Sequence, residues 1–548
     1  MDYKYLADLI FPNIDKTIED YRKLYPVRNL KEGAKVTRFA PSPTGFVHLG
    51  GLYQAIMDQL LAKSSEGVFF LRNEDTDKER ELDGALKLII DTLNYYQILP
   101  DEYQDGEKQI GNYGPYTQSE RKDIYQAFMK YFISIGRAYP CFCSKEELNS
   151  LREKQNDAKV RTGYYGNYAC CKNLSVEEAV ERIKNGDEYI IRFRSMGSHD
   201  NKFKFNDLVK GEVLLPENDL DIVIMKNDGL PTYHFAHLVD DYLMGTTHVV
   251  RGEEWLSSVP VHIELFKTLG VKAPKYIHTP LIVKKEADGK IRKISKRKDP
   301  EATMSYYREH GYPVSAVIES LMTIINSNYE EWHTANPEKS YLDFNYSPKK
   351  MSSSGALYDL DKLANISKNI ISKMTKEELC NNSYKWALEY SEELVQLIDR
   401  DRDYYMDVLN IERVQKKPRK DIAKYDEIVD NIWYMYDDLF EKKDKEYEYQ
   451  NITDIDEIRL IINTYMDKYY DVTDKEVWFD NIKLLCDELG YASNMKEYKE
   501  EPSKFKGNIA DVSTVLRVAL TTKSMTPDLY EIMRIIGRDR IKERYSKI

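Results

Sequence analysis

The sequence predicts an α/β domain with a parallel sheet, an α+β insertion within it, and an all-α region after it. Three observations support this fold class. Residues 36–71 show a strand–helix–strand pattern, and strand signals return at residues 247–250 and 276–283. Residues 105–245 lie between them, are rich in Tyr, Gly and Asn, and contain a cysteine cluster. Beyond about residue 330 the pattern is helical and charged.

The strand–helix–strand unit is the basis for predicting a parallel sheet. Residues 36–40 are predicted to form a strand that enters a loop rich in proline and glycine. Apolar residues from Leu52 to Leu60 follow at helical spacing, Gly67 ends the helix, and residues 68–71 form a second strand. Parallel strands need such a crossover. The next predicted helix has one apolar side, formed by Leu82, Leu86, Ile89, Ile90 and Leu93.

The domain boundaries follow from these changes in pattern. We expect a helical extension at 1–34, the α/β domain in two halves at 35–104 and 246–330, the insertion at 105–245, and helical domains at 331–420 and 421–548. Inside the insertion, Asn227-Asp228-Gly229-Leu230 separates residues 221–226 from residues 231–236, which predicts a β-hairpin.

Length and composition bound the class of protein. The 548 residues suggest three or four domains, and 42% hydrophobic with 31% charged residues is an ordinary globular profile. No stretch approaches the roughly 20 apolar residues of a membrane span, and residues 1–12 lack the features of a signal peptide. We therefore expect a cytoplasmic protein without a membrane partner. Six cysteines in a chain of this length do not indicate a disulfide framework.

The net charge of −12 argues weakly against a nucleic-acid partner, but binding depends on local potential. Two local basic runs are present. The first contains Lys284, Lys285, Lys290, Arg292, Lys293, Lys296, Arg297 and Lys298. The second contains Lys416, Lys417, Arg419, Lys420 and Lys424. The second run is interpreted as a solvated surface, whereas the first includes a motif.

Two short motifs together indicate phosphate chemistry. In residues 38–51, RFAPSPTGFVHLGG, a strand leads through a stiff loop to His48 and two glycines that open a helix. A helix N-terminus offers N–H donors to phosphate, and His48 can donate to a phosphoryl oxygen. In Lys293-Ile294-Ser295-Lys296-Arg297, two lysines three residues apart can bind a triphosphate. Each motif alone is weak, because a lone histidine is usually structural and a basic run is usually solvated.

These motifs resemble a known family. His48-Leu49-Gly50-Gly51 and residues 293–297 resemble HIGH and KMSKS, the two signatures of class I aminoacyl-tRNA synthetases. Further runs are similar to the glutamate-specific branch, namely RFAPSPTG at 38–45, EDTD at 74–77, PTYH at 231–234, VDD at 239–241 and VRGEEW at 250–255. The resemblance covers residues 36–365 and resumes near residues 512–522. Several motifs in order at the family spacing are far more specific than either motif alone.

The resemblance implies a Rossmann-like class I catalytic domain, an insertion at 105–245 that binds the tRNA acceptor end, and helices at 421–548 that bind the anticodon. It implies ATP, L-glutamate and tRNA(Glu) as partners, Mg²⁺ as the counter-ion of ATP, and a monomer. The implied catalytic residues are His48, Lys293 and Lys296. Gly50, Gly51 and Ile294 join them in the implied ATP site. The implied glutamate site contains Arg38, Ser42, Glu74, Tyr233, His237 and Arg251.

The charges of these residues favour glutamate over glutamine. Arginine forks bind carboxylates through paired hydrogen bonds, and Glu74 suits the substrate ammonium. A neutral amide would leave an arginine charge unpaired. Without the resemblance, Arg38 would be interpreted as a surface strand residue, and Arg251 as the partner of Glu253 or Glu254 in a salt bridge.

Some features depart from the family pattern. Gly51 stands where HIGH ends in histidine, and Asn73 replaces an apolar residue before the EDTD run, where it can disturb packing behind Glu74. Lys350-Met351-Ser352-Ser353-Ser354 begins like KMSKS but lacks the second lysine. We prefer residues 293–297, because both lysines are present and the segment follows a predicted strand.

Four cysteines, Cys141, Cys143, Cys170 and Cys171, lie in the insertion. Some relatives bind zinc there with a Cys-x-Cys pair, a later cysteine, and a histidine or tyrosine. Four thiols fit a tetrahedral zinc ion, although adjacent cysteines chelate one metal poorly. A site of three cysteines with Tyr165 or Tyr168 is an alternative, and reduced, partly buried thiols are another.

Other functions remain as alternatives. A truncated relative that glutamylates a modified tRNA base lacks the C-terminal helical region, which this chain has. Glutaminyl-tRNA synthetases differ in the APSPTG and EDTD runs. A non-catalytic tRNA-binding paralogue should lose His48, Lys293 and Lys296. A nucleotidyltransferase that does not act on tRNA would not explain the helical last third.

Overall fold

A computed structural model describes residues 2–43, 45–77, 82, 84–352 and 355–548. It divides into two compact units. The first comprises Met1–Tyr306 and Ile318–Asp359, and the second comprises Tyr307–Val317 and Leu360–Ile548. Thr44 of the RFAPSPTG run, and Ser353 and Ser354 of the KMSKS-like segment, lie outside the described residues.

Strands occur only before residue 358 in the part of the chain that the structure describes. They are β1 (Val36–Phe39), β2 (Val68–Leu71), β3 (Tyr103–Asp105), β4 (Lys108–Ile110), β5 (Ala138–Cys141), β6 (Ile190–Phe193), β7 (Lys202–Asp207), β8 (Gly211–Pro216), β9 (Val223–Met225), β10 (His248–Gly252), β11 (Lys275–Thr279), β12 (Ile282–Lys285), β13 (Ile291–Lys293) and β14 (Ala356–Leu357).

Helices occur throughout both units. Before residue 336 they are α1 (Tyr3–Ile10), α2 (Ile18–Leu24), α3 (Leu49–Lys63), α4 (Ala85–Tyr95), α5 (Lys122–Ser134), α6 (Lys145–Asp157), α7 (Val176–Lys184), α8 (Tyr233–Leu243), α9 (Val259–Leu269), α10 (Met304–Glu309), α11 (Val314–Ile325) and α12 (Tyr329–Ala335). After it they are α13 (Leu360–Lys373), α14 (Lys376–Tyr390), α15 (Glu392–Arg400), α16 (Arg402–Asn410), α17 (Ile428–Ile432), α18 (Asp437–Lys442), α19 (Ile455–Thr464), α20 (Lys475–Leu489), α21 (Met495–Glu500), α22 (Ile509–Thr521), α23 (Leu529–Ile536) and α24 (Arg538–Tyr545). No helix of the described residues is long and apolar enough to cross a membrane.

Two parallel strand pairs form the centre of the first unit. β1 pairs directly with β2, and the buried helix α3 is the crossover that connects them. β10 pairs with β11. Thr247, just before β10, donates its backbone N–H to the carbonyl of Val36 at 2.9 Å, which brings the two pairs together. The predicted strand–helix–strand unit and the returning strands are therefore confirmed. The predicted helix near residue 86 starts at Ala85, so Leu82 precedes it.

The insertion contains antiparallel strands and helices. β5, β6 and β9 form one antiparallel sheet, and β7 and β8 form a separate hairpin that ends beside β11, where Leu208 N donates to Tyr276 O at 3.0 Å. The hairpin predicted around residues 227–230 is present at its turn, where Met225 pairs with Pro231 and Lys226 N donates to Leu230 O at 2.9 Å. The prediction is wrong from Tyr233 onward, where helix α8 begins. Phe235, Leu238, Val239 and Leu243 of α8 are buried at helical spacing, which outweighs the turn signal before it.

The N-terminal segment is fastened to the body of the first unit. The Arg28 guanidinium donates to both carboxylate oxygens of Glu102 at 2.8 Å and to Met244 O at 2.7 Å. Tyr25 OH donates to Gly114 O at 2.9 Å, and the Tyr25 hydroxyl also accepts a bond from Arg121 at 3.2 Å.

The second unit is all-α in the residues described. Its core is a continuous apolar cluster that includes Leu379, Tyr405, Trp433, Ile461 and Leu516. The basic run at 416–424 lies in this unit, and its charges are partly balanced, since Arg419 pairs with Asp421 and Lys424 with Asp426.

Candidate active site

A cavity of about 630 Å³ opens where β1 and β10 end and α3 begins. Its walls come from the loop after β1, from the segment after β2, from the start of α8 and from the loop after β10. The carboxyl ends of parallel strands are where α/β sheets bind ligands. Of the predicted site residues, the cavity is lined by Arg38, Ser42, His48, Gly51, Glu74, Tyr233, Arg251 and Lys296.

His48 forms the N-terminal cap of α3. Its Nδ1 accepts a hydrogen bond from Gly51 N at 3.0 Å, so the proton of the neutral ring is on Nε2. The ring is open to the cavity but surrounded by protein. This enclosure, with the charges of Lys296 and Lys293, lowers the pKa of His48 to about 4. His48 is therefore a neutral donor at the positive end of a helix, a suitable arrangement for phosphate.

The two lysines of the KMSKS-like segment differ in position. Lys296 lines the cavity, and its Nζ donates to Phe46 O at 3.3 Å. Lys293 ends strand β13 and is exposed, and it is near enough to His48 to lower its pKa. Ile294 is buried, and its backbone N–H donates to Ile282 O at 3.1 Å. Gly50 does not line the cavity, and a side chain there would crowd the His48 ring.

Other basic residues of the same run are balanced by acidic neighbours. Lys284 pairs with Asp299 at 3.1 Å and with Glu301, and Arg292 forms a fork with Asp299 at 2.7 Å. These bonds lower the pKa of Asp299 below its usual range. The acidic pair thus stabilises the base of the loop.

A buried charge network lies behind one wall of the cavity. Nη1 of Arg72 donates to Asp241 at 2.6 Å, and Nη2 donates to Glu74 at 2.9 Å. Arg38 Nε is 3.3 Å from the same Asp241 carboxylate. Burial raises the pKa of Glu74, while Arg72 and Arg38 oppose that shift. Glu74 is positioned by Arg72 and faces the cavity.

Asp240, the neighbour of Asp241, anchors the network from the other side. Its carboxylate accepts from Arg121 Nε, from the Gln118 amide and from Tyr125 OH, each at 2.8 Å. Gln118 also lines the cavity. The consecutive aspartates of α8 therefore bind different arginines, because Asp241 pairs with Arg72 and Arg38 whereas Asp240 pairs most closely with Arg121.

Arg251 also lines the cavity and is almost fully buried. Its Nε donates to His278 Nε2 at 3.0 Å, and its Nη1 donates to Tyr233 OH at 3.2 Å. Nη2 donates to the Trp255 carbonyl at 3.3 Å. The predicted alternative of a salt bridge is not found, since Arg251 forms no ion pair with any carboxylate of the described residues. This buried cation has only neutral partners.

Comparisons with known proteins place this geometry in a family. The model for the catalytic domain of class I tRNA synthetases (E and Q) matches residues 35–363, and an anticodon binding domain model matches residues 389–548. The chain belongs to the class I tRNA synthetases of the E and Q group. This membership confirms the predicted fold class, with its Rossmann-like catalytic domain and all-α C-terminal region.

Relatives of this synthetase match over its full length. The chain is 49% identical to a glutamate–tRNA ligase of Clostridium perfringens, over 100% of this chain and 99% of the relative. It is 47% identical to one from Acetivibrio thermocellus, with full coverage of both. A crystal structure of a glutamate tRNA ligase from Elizabethkingia meningosepticum, in complex with its amino acid, aligns with a TM-score of 0.76 at 26% identity, over 94% of this chain and 98% of that one.

His237 and Asn73 of the synthetase also do not line the cavity. His237 is fully buried, with Nε2 2.8 Å from Tyr276 OH and Nδ1 2.7 Å from Asp241. Asn73 is also buried, its backbone pairs with Tyr116 and Gln118, and its Oδ1 has no partner among the described residues. The His237 ring stacks on Tyr233, and Asn73 directly precedes Glu74 in the chain.

Sequence reasoning missed the residues that hold the predicted ones in place. The sequence signal for Arg72 was a charged residue that directly follows an apolar strand, two residues before Glu74. Glu254 lines the cavity, and its carboxylate occupies the space that a side chain at position 252 would fill. Gln118 had no sequence signal, because it comes from the insertion far from every motif.

The cysteine cluster of the synthetase contains three of the four predicted residues. Sγ atoms of Cys141, Cys143 and Cys171 lie within 4.8 Å of one another. Cys170 is exposed and points to Tyr168 O, because the adjacent Cys171 takes the inward position of that short helical turn. Cys170 therefore does not join the group formed by the other three thiols. Tyr164 OH lies 3.5 Å from Cys141 and 3.3 Å from Cys143, in place of Tyr165 or Tyr168.

Proposed function

We propose that this protein attaches L-glutamate to the 3′ end of tRNA(Glu), with ATP as the second substrate and a glutamyl-adenylate as the intermediate. The observation that carries the proposal is the buried Arg251 at the wall of a cavity that also contains His48 and Lys296. An arginine without an ionic partner in such a cavity requires an anionic ligand, because an unpaired buried charge is costly. The relatives named glutamate–tRNA ligase support glutamate as that ligand.

Glutamate fits the charges of the cavity lining. The Arg251 guanidinium would bind one substrate carboxylate, with Tyr233 beside it, and Arg38 and Ser42 would bind the other. Glu74 would pair with the ammonium group. Glutamine in the same position would place a neutral amide against one arginine fork, and the lost charge pairing would weaken its binding.

ATP would occupy the end of the cavity nearest α3. His48 Nε2–H and the first N–H groups of α3 would donate to its phosphates, with Gly51 allowing close approach. Lys296 at the cavity wall and Lys293 beyond it would neutralise the pyrophosphate as it leaves. Mg²⁺ would accompany ATP as a counter-ion of the phosphates.

The reaction then proceeds in two steps. The α-carboxylate of glutamate attacks the α-phosphorus of ATP, the bond to the β-phosphate breaks, and pyrophosphate leaves with the electron pair. The 2′-hydroxyl of the terminal adenosine of tRNA next attacks the carbonyl of the mixed anhydride, loses its proton, and releases AMP. The protein contributes position and charge in both steps, with no covalent intermediate of its own.

The cysteine cluster fits Zn²⁺. Cys141, Cys143 and Cys171 with Tyr164 are a set of three thiols and one oxygen that suits four-coordinate zinc. Hydrogen bonds from Cys143 and Cys171 lower the pKa of the Cys141 thiol. When bound, the ion would supply a structural cross-link between the end of β5 and the turn at Cys171. The chemistry of aminoacylation does not pass through it.

The proposal also covers the other parts of the chain. Residues 105–245 would bind the tRNA acceptor end, residues 331–420 would link the catalytic and anticodon-binding parts, and residues 421–548 would bind the anticodon, as the anticodon domain match at 389–548 supports. The enzyme would act as a monomer. Because ribosomes consume the charged tRNA, the proposed location is the cytoplasm.

The experiment that tests the proposal is an aminoacylation assay with ATP, labelled glutamate or labelled glutamine, and separately prepared glutamate and glutamine tRNAs. We expect glutamate on the glutamate tRNA and rejection of glutamine. Glutamate also on the glutamine tRNA would make the enzyme non-discriminating. No attachment of either amino acid by folded protein would contradict the proposal and favour a non-catalytic or base-modifying role.

A further inference from the structure

A buried chain of hydrogen bonds leads from Arg251 to a carboxylate outside the cavity. Arg251 Nε donates to His278 Nε2 at 3.0 Å, and His278 Nδ1 lies 2.7 Å from Asp207 Oδ2. The exposed fractions are 4% for Arg251, 0% for His278 and 2% for Asp207, so water does not complete these bonds. Asp207 is the last residue of β7, in the insertion, and belongs to none of the motifs.

The donors and acceptors fix the protonation of this chain. Arginine Nε–H can only donate, so His278 Nε2 must accept and its proton must be on Nδ1, facing Asp207. The other oxygen of Asp207 accepts from the backbone N–H groups of Val209 and Lys210, at 2.9 and 2.8 Å. These bonds, together with the one from His278, overcome burial and lower the pKa of Asp207. Asp207 is therefore an ionised acceptor.

A second branch of hydrogen bonds starts at Arg251, which is again the donor. Arg251 Nη1 donates to His262 Nδ1 at 3.1 Å, which places the His262 proton on Nε2. That nitrogen is 2.9 Å from His234 Nδ1, which accepts it. Both rings are neutral in this arrangement, and burial lowers the pKa of His234 to about 4. Only one pattern of tautomers satisfies every bond, and Arg251 is the donor at its centre.

We propose that Asp207 is a positioning residue for glutamate recognition, acting through His278 to fix the fork of Arg251 in the cavity. The proposal rests on the proposed role of Arg251 in binding the substrate carboxylate. Asp207 selects the His278 tautomer that accepts from Nε. This bond fixes the orientation of the Arg251 guanidinium. Its Nη1 and Nη2 nitrogens then remain directed to the part of the cavity where Tyr233 lies and where the substrate would bind.

The variant Asp207→Asn tests this idea with almost no change in shape. Its amide oxygen keeps the two shorter backbone bonds, from Val209 and Lys210, and its NH₂ group takes the place of Oδ2. Oδ2 accepts from His278 Nδ1 and, at 3.2 Å, from the His278 backbone N–H, so the NH₂ group loses the backbone bond and donates to Nδ1. The His278 proton then moves to Nε2, against the Nε–H of Arg251. Two donors face each other, and Arg251 turns away from its position. The opposite orientation of the amide would set its NH₂ group against two backbone N–H groups.

We expect Asp207→Asn to raise the KM for glutamate at least about tenfold, with the KM for ATP and the thermal midpoint close to those of the wild type. The control is Glu212→Gln on the same hairpin, where an exposed carboxylate pairs with Lys204, and it should change none of these. A rise in the KM for ATP equal to that for glutamate would indicate general disorder of the site and overturn the proposal.

A double-mutant cycle separates the tautomer effect from simple packing. In His278→Gln, an amide oxygen can accept from Arg251 whatever the charge at position 207. Adding Asp207→Asn to this variant should then cost less than about twofold in the KM for glutamate. The proposal would be overturned if Asp207→Asn raised the KM for glutamate equally in the wild type and in His278→Gln. It would also be overturned if Asp207→Asn alone left this KM unchanged while the wild type charged tRNA normally. If the wild type itself attaches no glutamate, the proposed function fails, and this inference with it.

Discussion

Arg72 Nη1 donates to Asp241 Oδ1 over 2.6 Å, and neither side chain is exposed to solvent. The bond joins the end of β2 to helix α8, and Arg72 at the same time holds Glu74 at the cavity wall. A structural pair therefore also sets the position of a proposed substrate-binding carboxylate. Stability and recognition depend on the same guanidinium.

Breaking this pair should destabilise the first unit strongly. Arg72→Met leaves Asp241 buried with less compensation, and removal of one partner of a buried pair costs about 3–5 kcal/mol. Urea unfolding, followed by tryptophan fluorescence, measures the loss. The control is Lys87→Met, which removes an exposed pair with Asp91 and should cost about 0.5 kcal/mol or less. Equal effects of the two variants would show that the Arg72 network adds no net stability.

Lys296→Ala should slow ATP chemistry without changing glutamate affinity. Lys296 lines the cavity beside His48, and the loss of one charge at the leaving pyrophosphate should lower kcat about a hundredfold or more. Steady-state aminoacylation at saturating glutamate and tRNA provides the measurement. Lys350→Ala in the second KMSKS-like segment is the matched control. If Lys350→Ala were the damaging change instead, our choice of motif would be wrong.

Arg251→Ala should weaken the use of glutamate in particular. The lost charge-assisted bonds should raise the KM for glutamate about tenfold to a hundredfold, with little effect on the KM for ATP. Tyr233 loses only one bond to Arg251, so Tyr233→Phe should have a smaller effect in the same assay. Intact aminoacylation in both Arg251→Ala and Lys296→Ala would contradict the assignment of the site.

The buried histidines predict loss of stability in acid. Burial lowers the pKa of His237 and His248 to about 4, below the 6.5 of an exposed histidine. The unfolded chain takes up protons first as the pH falls, so this part of the stability is present above pH 6.5 and is lost toward pH 4. Thermal midpoints over this range should fall, and more shallowly in His248→Gln, which lies outside the cavity. An identical slope in that variant would exclude His248 as a contributor.

Zinc content should distinguish the role of Cys171 from that of the adjacent Cys170. Purified protein should contain zinc in equimolar amount, Cys171→Ser should lose most of it, and Cys170→Ser should retain it, because only Cys171 faces Cys143, with its Sγ at 3.6 Å. Elemental analysis by mass spectrometry gives the ratio. Metal-free wild-type protein after purification without chelators would favour the alternative of reduced thiols.

The sequence was most informative in segments where a motif coincides with the end of a strand or the start of a helix. The strand before Pro41, the helix after His48 and the strand ending at Leu71 are local patterns, so both their bounds and the residues at their ends were predictable. The family motifs then indicated which of these residues face a ligand, and the cavity lining includes most of them.

What the sequence did not reveal depends on contacts between distant segments. Asp207, Gln118 and His262 come from three different parts of the chain and meet the site only through the fold. Helix α8 was misjudged as a strand, because the turn signal at residues 227–230 is local and the burial that favours the helix is not. Adjacent Cys170 and Cys171 are alike in sequence, and only the backbone turn decides which one faces inward.

The contacts of the N-terminal segment have a consequence for folding during synthesis on the ribosome. Arg28 binds the carbonyl of Met244, a residue 216 positions later in the chain. At synthesis rates of about 5–20 residues per second, Met244 emerges on the order of 10–40 seconds after Arg28. The N-terminal segment therefore cannot complete these contacts until residues up to Met244 have been made. It is among the last parts of the first unit to reach its final position.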